Sequence, residues 1–408
     1  MGCAAIIGAS SGCRVSYNVS QKFDLGTADR ESETLQPALG PLAFHGASTL
    51  LRKAVEDGAF PGAITVAGWG GRIVYTDAVG TLGVTDPALG VTDPAPVDTS
   101  TLYDLASLTK VVAMTTSVMM LVAEGKIDLD TPASEYLPEF RAGAAAGVTI
   151  RHLLTHSSGL QAYRRLHLET DSREAALDSI FATPLAAPPG SSYVYSDLGA
   201  IILGFIVERV SQEPLDLFTQ RRIFEPLDMT STGYRPPAEW YDRVALTEFD
   251  PRRGGVLRGV VHDENAYHLG QVAGHAGLFS TAPDLSRFAI WMLDAYHGRI
   301  DASDAMYVPQ HIVREFVRRQ PGPNCSTRAL GWDTPSLEGS TAGDLMSRES
   351  FGHTGFTGTS IWIDPHEEFF IILLTNRVNP TRDNQLIRKV RGPLADSVYA
   401  SIMSAPAR

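Results

Sequence analysis

Asp104-Leu105-Ala106-Ser107-Leu108-Thr109-Lys110-Val111-Val112 opens a long apolar stretch that continues through Met114, Val118, Met119, Met120, Leu121 and Val122. The pattern predicts a helix over 107–124. On a helix, residues three apart are separated by about 300° of rotation and about 4.5 Å of rise, so Ser107 and Lys110 share one face. A serine hydroxyl becomes a useful nucleophile only when a neighbour takes its proton, and an amine held beside it is one such neighbour. A helix N-terminus also points backbone N–H groups at developing negative charge. Taken alone, the S-x-x-K spacing equally describes an N-cap serine followed by a solvated lysine. The context favours chemistry, because a helix apolar nearly all round is buried and its first-turn lysine is then partly desolvated.

Outward from this stretch, the 408 residues suffice for a substantial core in one large or two medium domains. A hydrophobic share of 44% and a charged share of 20% describe an ordinary globular protein. The net charge of −12 argues against nucleic acid or an anionic membrane as the principal partner. No run approaches 18 apolar residues, so no transmembrane segment is predicted. The three cysteines, Cys3, Cys13 and Cys325, form no C-x-x-C and suggest neither a zinc site nor a disulfide framework; Cys325 reads as a bystander in a loop. Residues 1–42 read as a poorly ordered arm. Met1–Gly12 is small and apolar but is not a complete signal peptide. Met1-Gly2-Cys3-Ala4-Ala5 fits the remnant of a trimmed lipoprotein precursor, so cytoplasmic and periplasmic locations both stay open.

The order of elements is helix (43–57), β-hairpin (63–69 with 73–75), a helical block to about 250, then strands and a last helix over 382–404. Two copies of LGVTDPA, at 82–88 and 89–95, read as a duplicated surface loop. Candidate helices in the central block are 107–124, 150–155, 171–181, 197–211 and 214–223. Strands follow at 277–280, 360–363 and 369–374, the last two joined as an antiparallel hairpin. The expected class is α+β: one antiparallel sheet flanked by the terminal helices (43–106 and 260–408), with a mainly helical domain (107–259) inserted and the Ser107 helix beginning at the seam.

Two further stretches carry reactive residue types. Tyr193-Val194-Tyr195-Ser196-Asp197-Leu198-Gly199 precedes an apolar helix; Tyr195 is a candidate general base, while Ser196 or Asp197 alternatively just caps the helix. Phe351-Gly352-His353-Thr354-Gly355-Phe356-Thr357-Gly358-Thr359 precedes a strand, and its glycines allow a ligand close to the backbone; the alternative is a glycine-rich strand entry with a surface histidine. His262, Asp263, Glu264, His268 and His275 form a ligand-type cluster without metal-site spacing, read as orienting the pocket edge ahead of a zinc site. His152 and His156 read as structural hydrogen-bonding residues. Gly8-Ala9-Ser10-Ser11-Gly12 fits G-x-S-x-G, and with Ile6-Ile7 a dinucleotide-binding turn, but lacks the preceding sheet or following βαβ unit that either requires.

The order S-x-x-K, Y-S-D, H-T-G resembles the penicillin-binding-protein and serine β-lactamase superfamily, specifically the class C β-lactamase-like branch with family VIII carboxylesterases and penicillin-binding protein 4B-like carboxypeptidases. The resemblance runs from about 43 to 403, with support from 150–160, 261–266 and 274–278. It implies a β-lactamase/transpeptidase-like fold and Ser107 as acylated nucleophile. It further implies Lys110 and Tyr195 sharing proton transfer, and main-chain N–H groups of Ser107 and Phe356 as oxyanion hole. Asp197, His353, Thr354 and Gly355 would contact substrate; no metal or organic cofactor is implied. A free tyrosine ionises near pH ~10, so a phenolate base at pH 7 needs on the order of 4 kcal/mol of help, which a Lys110 cation would supply; alternatively Lys110 is itself the neutral base, and a coupled pair need not divide the role. Each oxyanion donor is worth roughly 3 kcal/mol.

Two departures stand out. Asp197 replaces the usual Asn, and His353 replaces the usual Lys, removing a fixed positive charge. Both favour neutral esters over anionic substrates. The expected function is therefore a carboxylesterase acting on small acyl esters through an acyl-enzyme. Alternatives are a D-alanyl-D-alanine carboxypeptidase or weak β-lactamase and, in a different class, a non-catalytic penicillin-recognising or scaffold protein. The expected partner is a small ester or peptide substrate.

Overall fold

The computed structural model describes residues 41–140, 143–323 and 326–404. The cysteines, the N-terminal arm up to residue 40 and the Gly8–Gly12 motif lie outside these residues. Among the described residues ten strands follow in chain order: β1 (Gly62–Trp69), β2 (Arg72–Gly80), β3 (Tyr103–Asp104), β4 (Gly233–Tyr234), β5 (Phe249–Asp250), β6 (Gly255–Val256), β7 (Leu278–Ser280), β8 (Phe351–Thr354), β9 (Ser360–Asp364) and β10 (Phe369–Thr375). Five make an antiparallel sheet in the order β2-β1-β10-β9-β8, and three short ones make a second sheet, β3-β7-β4.

Apart from its edge strand β2, the large sheet is buried on both faces, which explains the unbroken apolar run of β10. Phe370, Ile372 and Leu374 alternate onto one core with Ile64 and Val66; Phe369, Ile371 and Leu373 face the other with Ala63 and Ala67. The second core is closed by the terminal helices His45–Glu56, through Ala47 and Leu51, and Arg391–Met403, through Leu394 and Val398. The first contains the helices Asp197–Ser211 and Ala282–His297 and the apolar segment after Ser107. This is the expected α+β arrangement of β-lactamase/transpeptidase type.

Three local expectations change. Ser107 lies in a turn, and the chain from Lys110 to Thr115 is π-helical before becoming α-helical at Thr116–Ala123. The Thr116 hydroxyl donates to the Val111 carbonyl five residues back (2.8 Å), matching the widened turn. The final helix begins at Arg391; between Asn384 and Arg391 there is a loop and a 3₁₀ turn, Leu386–Lys389. Finally, Phe351–Thr354 is itself a strand, on the sheet edge. Its Gly352 is required there, because a Cβ would stand 2.4 Å from the Ile361 carbonyl and from the Trp362 ring.

Among the described residues no helix is long and apolar enough to cross a membrane.

Candidate active site

Ala106, immediately before Ser107, has φ of 47°, an uncommon conformation for a residue with a Cβ. The turn places Ser107 at a cleft, while the next turn is fully buried. Lys110 is 1% exposed; its Nζ donates to Ser107 Oγ (2.9 Å) and to the His275 carbonyl (3.2 Å), and lies 2.7 Å from Asp197 Oδ1. Burial alone would push this ammonium down. The Asp197 carboxylate, with the Tyr195 phenol, outweighs burial and holds it above the ordinary lysine range.

Ser196 N-caps the helix Asp197–Ser211, accepting from the Gly199 N–H at 3.3 Å, and donates to the Gln161 carbonyl (2.7 Å). Ser196 is therefore the cap, and Tyr195 lines the cleft. The Tyr195 ring packs on His156 (centroids 4.5 Å apart) and His353 (5.9 Å), and two cations approach it, Lys110 Nζ and the Arg328 guanidinium, each 5.0 Å from its centroid. His156 accepts the Ser196 N–H, and His152 completes a capping box with Thr149, so both are hydrogen-bonded within the structure.

His353 is 3% exposed. Burial, followed by the nearby charges of Arg328 and Lys110, pushes its pKa well down, so its imidazole is neutral. Its Nδ1 is 2.9 Å from the Thr354 carbonyl, which only accepts, so Nδ1 carries the proton. Nε2 is then a buried lone pair without a partner among the described residues. Beyond it, Gly355 and Phe356 turn the chain. Among the described residues the N–H groups of Ser107 and Phe356 take no partner in the turns around them. Two donors that no turn consumes are what an oxyanion site requires.

Two clefts meet at Ser107, Tyr195 and Phe356. One, of about 600 Å³, adds Tyr163, Leu168, Asp197, His262, Asp263, Glu264, His275 and Arg382. Here one pair lies within the ligand-type cluster, His275 with Asp263 (2.8 Å), while its other members bond outside it: His262 with Glu248 (3.0 Å), Glu264 with Arg382 (2.7 Å) and His268 with Thr170 (2.9 Å). No group of three or more His, Cys, Asp or Glu among the described residues is placed to hold a metal. The second cleft, of about 570 Å³, adds His353, Thr354, Gly355 and four arginines, Arg328, Arg377, Arg388 and Arg391, with no carboxylate on its wall.

These arginines were not foreseen from sequence. Burial first, then mutual repulsion with Arg377 and Arg388, pushes Arg391 down to about 10. Arg391 donates to the Gly355 and Thr359 carbonyls (2.9 Å each) and Arg377 to the Phe356 carbonyl (2.8 Å), so they also brace the turn that carries the Phe356 N–H. They stand far from His353 in sequence, and only the fold gathers them.

Residues 47–394 match the family model described as Beta-lactamase. A curated relative from Salmonella agona (strain SL483), named "Putative D-alanyl-D-alanine carboxypeptidase", is 33% identical over 345 residues, covering 74% of this chain and 78% of its own length. Similar solved structures include EstCE1, described as a hydrolase with promiscuous acyltransferase activity (TM-score 0.68, 21% identity, 88% of this chain and 99% of that one). A penicillin-binding protein homologue from Caulobacter crescentus (0.68, 22%, 89% and 98%) and a class C β-lactamase (0.69, 20%, 87% and 98%) are similar too; at these identities they speak for the fold. The fold and site define a serine hydrolase. The chain belongs to the Beta-lactamase family.

Proposed function

We propose that this protein hydrolyses acyl substrates through a covalent Ser107 ester, and that the substrate carries a carboxylate next to the scissile bond, as a D-alanyl-D-alanine peptide does. The observation that carries the substrate reading is the arginine wall. His353 brings no charge, but Arg388 and Arg391 put positive charge in the same cleft with no acid on its wall, and Arg328, also on that wall, is paired with Asp333 (3.6 Å), which does not line it.

In the proposed cycle Lys110 remains an ammonium, held by Asp197, and donates to Ser107 Oγ. An ammonium has no lone pair, so in this cycle Tyr195 enters as the phenolate and its oxygen takes the Ser107 proton. Oγ attacks the carbonyl carbon, and the oxyanion forms against the Ser107 and Phe356 N–H groups. Collapse expels the leaving group, which takes the proton from Tyr195 and leaves acyl-Ser107. Water then attacks the ester, giving its proton to Tyr195, and the released Ser107 oxygen recovers it.

A second reading, carboxylesterase on small neutral esters, is favoured by a different observation. The walls of the first cleft include Tyr163, Leu168 and Phe356, which are exposed apolar or aromatic groups that suit an uncharged acyl chain.

The test is a rate comparison of wild type and Ser107→Ala on a D-Ala-D-Ala peptide, its C-terminally amidated analogue, p-nitrophenyl butyrate and nitrocefin, with intact-mass detection of the adduct. The expected result is turnover of the free-acid peptide well above its amide, lost in the alanine variant. Preference for the neutral ester alone would establish the second reading. Equal inertness of both proteins on every substrate would sink the acyl-enzyme.

A further inference from the structure

Asp104 is 2% exposed and lies three residues before Ser107. Each of its polar ends holds a different segment of the site. Oδ1 accepts the Ala106 N–H (2.8 Å), Oδ2 accepts the His262 N–H (2.6 Å), and its main-chain carbonyl accepts the Thr357 hydroxyl (2.7 Å). The first bond pins the left-handed Ala106 bend that aims the Ser107 N–H. The second pins the loop whose His262 ring stacks on Phe356, centroids 5.7 Å apart. The third ties down the residue directly after Phe356. Thr359 repeats this one step along, donating to the Leu105 carbonyl (3.0 Å).

A local turn needs only the Ala106 bond. The other two come from segments 158 and 253 residues away, and they converge on one buried carboxylate and its own carbonyl. A buried charge is costly to keep, and here both carboxylate oxygens are satisfied by N–H donors.

We propose that Asp104 is a positioning residue that fixes the spacing between the Ser107 and Phe356 N–H groups, so that it acts on the tetrahedral intermediate and not on bound substrate. This rests on the reading of Ser107 as nucleophile. An oxyanion hole works only when both donors reach the oxygen in the transition state. One residue bonded to the supports of both donors sets that distance.

The experiment uses Asp104→Asn and Thr357→Val in the full chain. An asparagine retains one acceptor oxygen and turns an amide N–H₂ against a backbone N–H, whereas valine removes only the hydroxyl contact. With p-nitrophenyl butyrate, Asp104→Asn is expected to lower kcat about 100-fold with KM within about threefold, and Thr357→Val to lower it about tenfold. Phenylboronic acid, which becomes tetrahedral on Ser107, should weaken by the same factors as kcat. If Asp104→Asn does not fold, Thr357→Val alone decides. Unchanged kcat, or a loss in KM with boronate affinity retained, would overturn the proposal. Fluorophosphonate labelling of wild type and Ser107→Ala separates the two ideas: no Ser107-dependent label in wild type rejects the nucleophile, whereas labelling with kinetically silent variants rejects only the role of Asp104.

Discussion

Lys110 Nζ stands 2.7 Å from Asp197 Oδ1, and the lysine end of this pair is buried. Asp197 therefore has the largest part in keeping the lysine beside Ser107 charged. With Asp197→Asn, the largest influence opposing burial is gone, leaving Tyr195 and the more distant Asp263, and the ammonium becomes easier to deprotonate. If Lys110 works as a cation, the alkaline limb of kcat/KM should move at least about one pH unit lower in this variant, since one unit corresponds to about 1.4 kcal/mol of lost charge interaction. Profiles from pH 6 to 11 on p-nitrophenyl butyrate check this. A variant whose rate climbs with pH where wild type is flat would instead give the base role to neutral Lys110.

Arg388 is exposed and lines the arginine cleft. Removing its charge tests anion recognition without touching the arginines that brace the Phe356 turn. Arg388→Gln should raise KM for a free-acid D-Ala-D-Ala peptide about 5- to 20-fold, in line with an arginine–carboxylate contact of about 1–2 kcal/mol, and leave the amidated peptide unchanged. Added salt should weaken the wild-type preference in the same direction. Equal KM changes for both peptides would remove this arginine from carboxylate recognition.

What could be read in the sequence was whatever is local. The Ser107–Lys110 spacing, the Ser196 cap before Asp197–Ser211 and the two-faced apolar run of β10 each depend on neighbours a few residues away. The π-helical turn has no signature in an apolar pattern that any helix would share; only the Thr116 hydroxyl bond to the Val111 carbonyl five residues back marks it. β8 was missed because an edge strand of Phe-Gly-His-Thr has no alternation to announce it. The arginine wall is assembled from residues 328, 377, 388 and 391, three of them after the last strand, so the charge removed at His353 was visible and the charge beside it was not. A signal existed in Arg388 and Arg391, two cations a helical turn apart, but spacing alone does not tell which cleft they face.

Gly355 has no room for a side chain. A Cβ would lie 2.0 Å from Thr359 Oγ1 and 2.5 Å from the Leu105 carbonyl, and the second of these is backbone that cannot step aside. Gly355→Ala should therefore displace the Phe356 N–H. The expected result is a kcat about 10²- to 10³-fold lower, the size of a lost oxyanion donor, with stability reduced by about 1–3 kcal/mol from overpacking. Steady-state kinetics and a denaturant midpoint check the two parts. Full kcat in a destabilised variant would mean that Phe356 does not contribute to the oxyanion hole.

Acid should loosen the fold before it protonates the carboxylates. His156 and His353 are both buried, and burial, with Arg328 and Lys110 nearby, pushes both well below the ordinary histidine range. In the unfolded chain each binds a proton near pH ~6.5. Between that pH and the depressed folded value the unfolded state holds more protons, so stability is fully present above about pH 6.5 and falls as the solution is acidified. Each histidine contributes a slope of up to about 1.4 kcal/mol per pH unit, and the pair about 2.7. His366, raised by Glu367 at the surface, acts in the opposite sense but is fully exposed. Urea unfolding at pH 7.0, 6.0 and 5.5 should show the loss, to which half-buried His152, also lowered by burial, adds in the same sense, and His353→Gln, which cannot titrate, should reduce the slope by up to about 1.4 kcal/mol per pH unit. A wild-type stability that is flat across this range would mean that one or both rings accept a proton in place, and the neutral His353 on which the arginine wall's role depends would have to be abandoned.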